Sequence, residues 1–292
     1  MKKTTALFCV TMLLTGCKFS RSVEKDLVSG LTSAGRDLSC EDVFIMTGGE
    51  RTSRNSFIYG ETFTVTFYDM KGFTQENGAL FPAMEIILTD NEGNIILMAE
   101  DIYERFTEGI SYSPLTLSAD LTMADPIVSG GKYDLTVNIS DKKGSGTFRS
   151  GFHFSVKENE KLKVKVKDVV YDEVYLFSQG NNRTITNNEI GFNDIIYIIV
   201  EGLRGFTEEN GIVYPGLKLK AKDSRNEVIL DFEDLFLDYS TEGVDADEFI
   251  SRVSAHFSLT GTTFNNPLNC EVKIWDKKSN ASLTVTTEMI VK

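Results

Sequence analysis

The residue types that most often perform chemistry are scarce in this 292-residue chain. It has two histidines, His153 and His256, each in a strand-like apolar run. The sequence has no Gly-x-Ser-x-Gly, glycine-rich phosphate loop or Cys-x-x-Cys, so nucleophilic, phosphoryl-transfer and dithiol chemistry have no signature. Asp and Glu number 43, and with so many acids a carboxylate pair at any given separation arises by chance. The sequence therefore predicts a protein that is not an enzyme and has no cofactor.

One string of polar and aromatic residues occurs twice. Residues 72–82 read GFTQENGALFP, and residues 205–215 read GFTEENGIVYP. A functional interpretation makes these strings contact loops, with six candidate residues: Phe73, Asn77, Phe81, Phe206, Asn210 and Tyr214. A conformational interpretation is favoured, because Asn-Gly suits a turn with positive φ and Pro suits the start of an edge strand.

Two acidic segments are candidate cation sites. Asp90, Glu92 and Asn94 alternate like a calcium-ligand loop, but their counterparts in residues 223–227 include an arginine. The terminal glutamate of the calcium loop is also missing. Residues 231–248 are rich in acids and could hold a cation or a basic partner. We favour a turn in the first case and a solvated acidic loop in the second, and predict no metal site.

The N-terminus has the features of an export signal. Lys2 and Lys3 precede an apolar run at residues 6–14 that is too short to span a bilayer. Residues 14–17 read LTGC, which resembles the lipobox of bacterial lipoproteins. The resemblance implies that residues 1–16 are a signal peptide, that cleavage follows Gly16, and that Cys17 is acylated. Several acyl chains on Cys17 would hold the protein stably on a membrane.

The residues after Cys17 bear on the final location. Lys18 follows the cysteine, which by resemblance to proteobacterial sorting favours the outer membrane. Surface-exported lipoproteins of Bacteroidota often carry an acidic cluster here, and residues 18–21 read KFSR. We therefore expect an outer-membrane lipoprotein that faces the periplasm. The net charge of −13 argues against a nucleic-acid partner.

The repeated string belongs to a duplication of a whole domain. Residues 36–46 (RDLSCEDVFIM) match residues 167–177 (KDVVYDEVYLF), and residues 141–156 match residues 276–291. Alternating apolar residues and turn signals predict about seven short strands in each copy. We expect an all-β fold of two tandem immunoglobulin-like β-sandwiches, at residues 36–157 and 163–292. The arrangement resembles the immunoglobulin-like modules of Bacteroidota envelope lipoproteins, although the antibody-type Cys…Trp…Cys framework is absent.

Residues 17–35 precede the first copy. Val23, Leu27 and Leu31 fall at helical spacing, whereas Gly30 and Gly35 weaken a helix. The segment is predicted to be either a short amphipathic helix or a tether from the lipid.

Cys40 and Cys270 remain after the signal and the lipidated cysteine are set aside. Their counterparts in the other copy, Tyr171 and Leu135, are apolar. The two cysteines also belong to different copies, so we expect two buried free thiols rather than a disulfide.

These features predict a non-catalytic, lipid-anchored structural or adaptor protein that contacts other envelope proteins. A multi-protein envelope complex such as a secretion apparatus fits this architecture by analogy. The alternative is a surface glycan- or matrix-binding lipoprotein, which would need a platform of exposed aromatic residues. Its candidates are Tyr103, Phe106, Tyr112, Phe236 and Tyr239.

Overall fold

A computed structural model describes residues 21–25 as backbone, and residues 30–260 and 265–292 with their side chains. Within these ranges almost all regular structure is β-strand. The first half contains β1 (Arg21–Lys25), β2 (Thr32–Arg36), β3 (Asp42–Thr47), β4 (Glu50–Thr52), β5 (Ser56–Ile58), β6 (Thr62–Tyr68), β7 (Pro82–Asp90), β8 (Ile95–Ala99), β9 (Leu117–Thr122), β10 (Lys132–Asp141) and β11 (Thr147–Lys157).

The second half contains the remaining strands and two short helices. The strands are β12 (Lys163–Lys167), β13 (Glu173–Ser178), β14 (Arg183–Thr184), β15 (Glu189–Ile190), β16 (Ile195–Glu201), β17 (Glu208–Glu209), β18 (Ile212–Val213), β19 (Pro215–Lys222), β20 (Val228–Phe232), β21 (Val244–Asp245), β22 (Val253–Ser258), β23 (Leu268–Asp276) and β24 (Ser282–Val291). The helices are a 3-10 turn (Leu237–Tyr239) and α1 (Ala246–Ser251). The turn and the start of α1 lie within residues 231–248, for which a solvated acidic loop is predicted.

Two sheets pack against each other in the first half. One has the order β1-β2-β11-β10-β7-β8, with β5 parallel to β11, and the other has the order β4-β3-β6-β9. Phe63, Val65 and Phe67 of β6 are buried against the larger sheet, as their alternation with threonines predicts. Because side chains alternate between the two faces of a strand, the apolar residues of these strands all lie on the side of each sheet that faces the core.

The second half repeats this topology. Its larger sheet has the order β12-β24-β23-β19-β20, with β15 parallel to β24, and its smaller sheet has the order β14-β13-β16-β22. The additional small sheet β17-β18-β21 is formed by the second GFT string and the segment before α1. The predicted fold class, an all-β chain of two tandem immunoglobulin-like sandwiches related by duplication, is confirmed.

The expected amphipathic helix or tether at residues 17–35 is wrong where the structure describes it. Residues 21–25 form β1, and Thr32–Arg36 forms β2, which pairs with β11. Leu31 and Leu38 are buried, but they reach the core from the two ends of a strand rather than from one helical face. The edge of the sandwich sheet supplies hydrogen-bond partners that an isolated short helix lacks. Cys17 and residues 1–16 lie outside the described residues.

The two halves share an apolar contact. Tyr175 of β13 and Ile199 of β16 belong to the hydrophobic core of the first half, although their strands belong to the second. A continuous apolar run, such as residues 195–200, is typical of a strand covered on both faces. The structure confirms this interpretation, because the first half covers the outer face of β16.

Two carboxylates of the second half complete the contact between the halves. The hydroxyls of Tyr59 and Tyr175 donate to Glu201, at 2.8 Å each. The backbone N–H and the hydroxyl of Ser129 donate to Glu173, at 2.7 Å each. Burial raises the pKa of Glu173 above its ordinary value, against the lowering effect of the Ser129 hydrogen bonds.

Candidate functional site

The first GFT string is held at one end of its sandwich by a buried carboxylate. Asp141, at the end of β10, accepts from the backbone N–H of Thr74 at 2.7 Å and of Lys143 at 3.0 Å. Phe73 packs half-buried against the core. The carboxylate therefore closes the loop onto the sheet through two charge-assisted hydrogen bonds.

The second copy contains the same arrangement. Asp276, at the end of β23, accepts from the backbone N–H of Thr207 at 2.8 Å and of Lys278 at 2.9 Å, and from the Ser279 hydroxyl at 2.7 Å. Burial alone would raise the pKa of Asp276, but these hydrogen bonds outweigh it and hold the pKa below the usual range. Phe206 packs against Phe249 of α1, with ring centroids 4.8 Å apart.

We call Asp141 and Asp276 the clamp aspartates, and their contacts with the GFT strings the clamp. The lysine that follows each clamp aspartate binds a second carboxylate. The Lys142 ammonium lies 2.6 Å from Asp101, and the Lys277 ammonium lies 2.8 Å from Asp234. Burial raises the pKa of Asp101 and Asp234, but the lysines and the neighbouring backbone amides outweigh burial, so both pKa values are lowered. The acidic-aromatic stretches that follow β8 and β20, at residues 100–103 and 233–236, are thereby held at the same end of each sandwich.

The Asn-Gly pair in each string forms a turn with two positive φ angles. Asn77 and Gly78 have φ of 54° and 83°, and Asn210 and Gly211 have φ of 55° and 80°. These values match the type I′ hairpin turn. The positive φ inferred from the Asn-Gly sequence is confirmed.

The remaining candidate contact residues also have partners within their own half. The Lys143 ammonium lies 4.7 Å from the centroid of the Phe81 ring, and the Lys278 ammonium lies 4.3 Å from that of Tyr214. The six candidates therefore form two equivalent loops, one in each half, and do not converge on a single site. Their arrangement favours the conformational interpretation of the string.

The glycine that opens each string permits a close backbone contact. A Cβ on Gly72 would lie 2.0 Å from the carbonyl oxygen of Asp37, whereas a Cβ on Gly93 would have no neighbour within 4 Å. Both glycines have positive φ, 97° and 87°. We expect Gly72→Ala to lower the free energy of unfolding by about 3 kcal/mol and Gly93→Ala by about 1 kcal/mol. Urea denaturation of both variants measures the difference, and equal losses would contradict the role assigned to the contact.

The alternating acids at residues 90–94 form a turn rather than a ligand loop. The Asp90 carboxylate accepts from the backbone N–H groups of Glu92 and Asn94 and from the Asn94 side chain, at 2.9 Å each. Asp223 accepts equivalently from the backbone of Arg225 and Glu227. Within the described ranges, no group of three His, Cys, Asp or Glu residues could hold a metal ion.

The histidines and cysteines form no reactive constellation within the described part of the chain. His153 is exposed and lies 3.0 Å from Asp134, and His256 lies against Tyr197. Both cysteines are free, as expected. Cys270 is buried, and burial raises its thiol pKa to about 12. Cys40 is only half-buried, so the expectation of two buried thiols is wrong for this residue, and its pKa is raised to about 11, mainly by burial.

Exposed apolar side chains recur at equivalent positions of both halves, along an edge strand and the turns after it. We call these sets the apolar strips. The first strip is Ile95, Ile102 and Phe106, and the second is Val228, Leu235 and Tyr239. All six side chains are between 40% and 60% exposed. Ile95 lies on β8 and Val228 on β20, an outermost strand of each larger sheet, and the other strip residues lie in the turns that follow.

Backbone contacts show that the strips are equivalent. Ile102 N–H donates to Met84 at 2.9 Å, and Leu235 N–H donates to Leu217 at 2.7 Å. Both edge strands also carry a register shift near their start. The sequence of these regions, residues 95–106 and 228–239, does not reveal which of their apolar residues are exposed.

Acidic residues flank both strips. Glu100, Glu104 and Glu108 are exposed around the first, and Glu233, Asp238 and Glu242 are exposed around the second. A partner for these surfaces would combine apolar contacts with positive charge.

Tyr103 and Phe236, two candidates for a glycan platform, are half-buried. The Tyr103 hydroxyl accepts from the backbone N–H of Ser118 at 2.9 Å, and Phe236 packs against the core. Their neighbours Phe106 and Tyr239 are exposed. The five aromatic residues therefore do not form one continuous exposed platform.

Comparison with known proteins finds solved structures that are similar at low sequence identity. No protein-family model matches the chain, and no match was found among curated proteins. The fibronectin(III)-like modules of CbhA from Clostridium thermocellum are similar, with 12% identity over 85% of this chain and 94% of that chain and a TM-score of 0.20. A DUF3823 family protein from Bacteroides ovatus has 11% identity over 78% of this chain and 97% of that chain, with a TM-score of 0.21. These likenesses carry no argument about activity, ligand or location.

In the part of the chain that the structure describes, no helix is both long enough and apolar enough to cross a membrane.

Proposed function

We propose that this protein is a lipid-anchored, non-catalytic adaptor of the bacterial envelope that binds other proteins through its two apolar strips. The observation that carries the proposal is the exposure of apolar residues at equivalent positions in both halves, such as Ile102 and Leu235. Single exposed apolar residues are ordinary on protein surfaces, and what supports a shared interaction surface is their recurrence at three equivalent positions of both halves.

The folding contacts of the repeated string also support this proposal. The clamp aspartates, the lysines after them and the Asn-Gly turns account for the residues that the two copies share at that end of each sandwich. Phe106 and Tyr239 of the strips contact Tyr103 and Phe236 within their own halves, but all six strip side chains keep 40–60% of their surface exposed. A partner protein that covers them would remove apolar surface from water, which is favourable.

The sequence around Cys17 supports the anchor. The lipobox resemblance implies acyl chains on this residue, and the predicted location is the periplasmic face of the outer membrane. An envelope complex such as a secretion apparatus is the setting we propose, because its components need adaptors held at the membrane.

Affinity purification from detergent-solubilised membranes at native expression tests the adaptor proposal. We expect the unaltered chain to recover a stoichiometric protein partner, and the double variant Ile102→Glu, Leu235→Glu to recover about tenfold less of it. The matched control is Glu50→Lys, an exposed change on β4, which belongs to the smaller sheet of the first half and not to either sheet that carries a strip. Recovery of the chain alone under gentle conditions would refute the proposal, as would full partner recovery by the double variant.

One observation favours the alternative, a surface glycan-binding lipoprotein. Tyr112 is 81% exposed and Phe106 is 51% exposed, so two aromatic side chains of the first half are open to solvent. Protease treatment of intact cells distinguishes the two functions. Protection supports the periplasm-facing adaptor, and cleavage from outside supports the alternative.

A further inference from the structure

The outer strand β12 is an open sheet edge in the second half. It pairs with β24, and no strand among residues 21–25, 30–260 and 265–292 pairs with its other side. The equivalent strand of the first half, β2, pairs with β11 in the same way, but its other side is covered by β1. In the first half this edge of the sheet is therefore extended by one more antiparallel strand, whereas in the second half the equivalent edge is open.

The side chains of β12 alternate between lysine and valine. Lys163, Lys165 and Lys167 are exposed on the outer face of the sheet, where their paired residues on β24 are Thr286, Thr284 and Ser282. Val164 packs half-buried against the core, whereas Val166 is 49% exposed. An added strand would thus meet positive charge on one face and a partly uncovered apolar side chain on the other.

The positive charge of this edge is largely uncompensated. Within the described residues, Lys165 and Lys167 have no ion pair, and Lys163 donates to the backbone carbonyl of Glu160 at 2.7 Å. On the same face, Lys273 lies across Thr284 from Lys165 and has no ion pair among the described residues, and the Glu271 carboxylate lies across Thr286 from Lys163. The chain as a whole carries a net charge of −13, so this edge is a local basic patch on an acidic protein.

The lysines distinguish the two copies. The positions of β2 equivalent to Lys163, Lys165 and Lys167 are Thr32, Ala34 and Arg36, as the registers with β11 and β24 show. The open edge and the row of lysines therefore occur together in the second half, and the covered edge of the first half has neither.

We propose that the β12 edge binds an extended segment of a partner protein in which acidic and apolar residues alternate. Added strands supply backbone hydrogen bonds, and alternate side chains supply specificity. Carboxylates on every second residue would face Lys163, Lys165 and Lys167, because directly opposed side chains of antiparallel strands lie within about 5.5 Å. The intervening apolar residues would cover Val164 and Val166.

The lysines also select against other strands. Like charges directly opposite each other are unfavourable, so the edge rejects cationic strands and a second β12. Lysine-bearing edges resist unselective pairing for the same reason. The inference concerns a different edge from the apolar strips and does not rest on the adaptor proposal.

Binding of labelled peptides to the full chain, measured by fluorescence anisotropy, tests this inference. The probe is the capped heptapeptide Glu-Val-Glu-Val-Glu-Val-Glu, which we expect to bind with saturation. Three controls are a Lys-Val peptide of the same length, a heptaglutamate, and the probe with alternate amides N-methylated. We expect each control to bind at least about tenfold more weakly, since each loses the charge, apolar or backbone match.

The variant Lys163→Glu, Lys165→Glu, Lys167→Glu provides the charge reversal. We expect its affinity for the acidic probe to fall by about tenfold or more and its affinity for the Lys-Val peptide to rise. Its circular dichroism spectrum should be unchanged. Four results would each overturn the proposal. The first is that the unaltered chain does not bind the probe. The second and third are that heptaglutamate or the N-methylated probe binds as tightly as the probe itself. The fourth is that the unaltered chain forms oligomers that the triple variant does not form.

Discussion

Asp276→Ala is expected to lower the free energy of unfolding of the second half by about 4 kcal/mol. The substitution leaves the backbone N–H groups of Thr207 and Lys278 and the Ser279 hydroxyl without their acceptor. Each unsatisfied buried donor costs about 1–3 kcal/mol, and the second GFT string loses its attachment to β23. Equilibrium denaturation in urea measures the change.

The pH dependence of this variant checks the role of the carboxylate. The pKa of Asp276 is lowered in the folded protein, so its contribution to stability is present above the unfolded pKa. That contribution is lost as the pH falls through the folded pKa. The difference in stability between the unaltered chain and Asp276→Ala should therefore shrink in acid.

Glu271→Ala is the matched control for Asp276→Ala. Glu271 is an exposed carboxylate on the same strand, and its removal is expected to change the free energy of unfolding by no more than about 0.5 kcal/mol. Similar losses in the two variants would show that the clamp does not stabilise the loop.

Glu201→Ala is expected to cost about 3 kcal/mol and to uncouple the two halves. Glu201 accepts from the hydroxyls of Tyr59 in the first half and Tyr175 in the second, whose rings lie 5.5 Å apart. Burial, followed by the hydrogen bond to Glu201, raises the pKa of both tyrosines. Removal of the Glu201 carboxylate leaves the buried hydroxyls of Tyr59 and Tyr175 without their acceptor. We expect one cooperative urea transition in the unaltered chain and two transitions in the variant.

Two comparison variants make the test of the contact specific. Glu201→Gln keeps one acceptor oxygen and should cost about half as much as Glu201→Ala. Glu208→Ala removes an exposed carboxylate of β17 and should leave a single transition. A single transition with unaltered stability in Glu201→Ala would contradict the coupling assigned to this residue.

The sequence predicted the duplication and the strands because both depend on local patterns. Phe63, Val65 and Phe67 alternate with threonines, and alternation of period two directs them to one side of a sheet. The Asn-Gly turns were predictable for the same reason, since the positive φ depends on two adjacent residues. The helix expected before residue 36 failed, because helical spacing of apolar residues competes there with an available sheet edge.

The roles of the clamp and the strips depend on contacts between distant residues. Thr74 and Asp141 are 67 residues apart, so the repeated strings around them gave no sign that they bind each other. Exposure of Ile95 and Val228 depends on strand order, because the same apolar residue is buried in a central strand and open on an outer one. The alternation of lysine and valine at residues 163–167 suits a strand, but only the pairing with β24 shows which sheet carries the lysines.

The firm contact between the halves has a consequence for how a partner is held. Glu201 binds Tyr59 and Tyr175, one from each copy, and Glu173 of the second copy binds Ser129 of the first. The apolar strips are therefore presented at a set spacing rather than on freely jointed domains. A target with two matching sites at that spacing would engage both strips at once, and the second engagement would occur at high effective concentration. Such bivalent capture converts two weak contacts into avidity, and loosening the joint between the halves would abolish it without altering either strip.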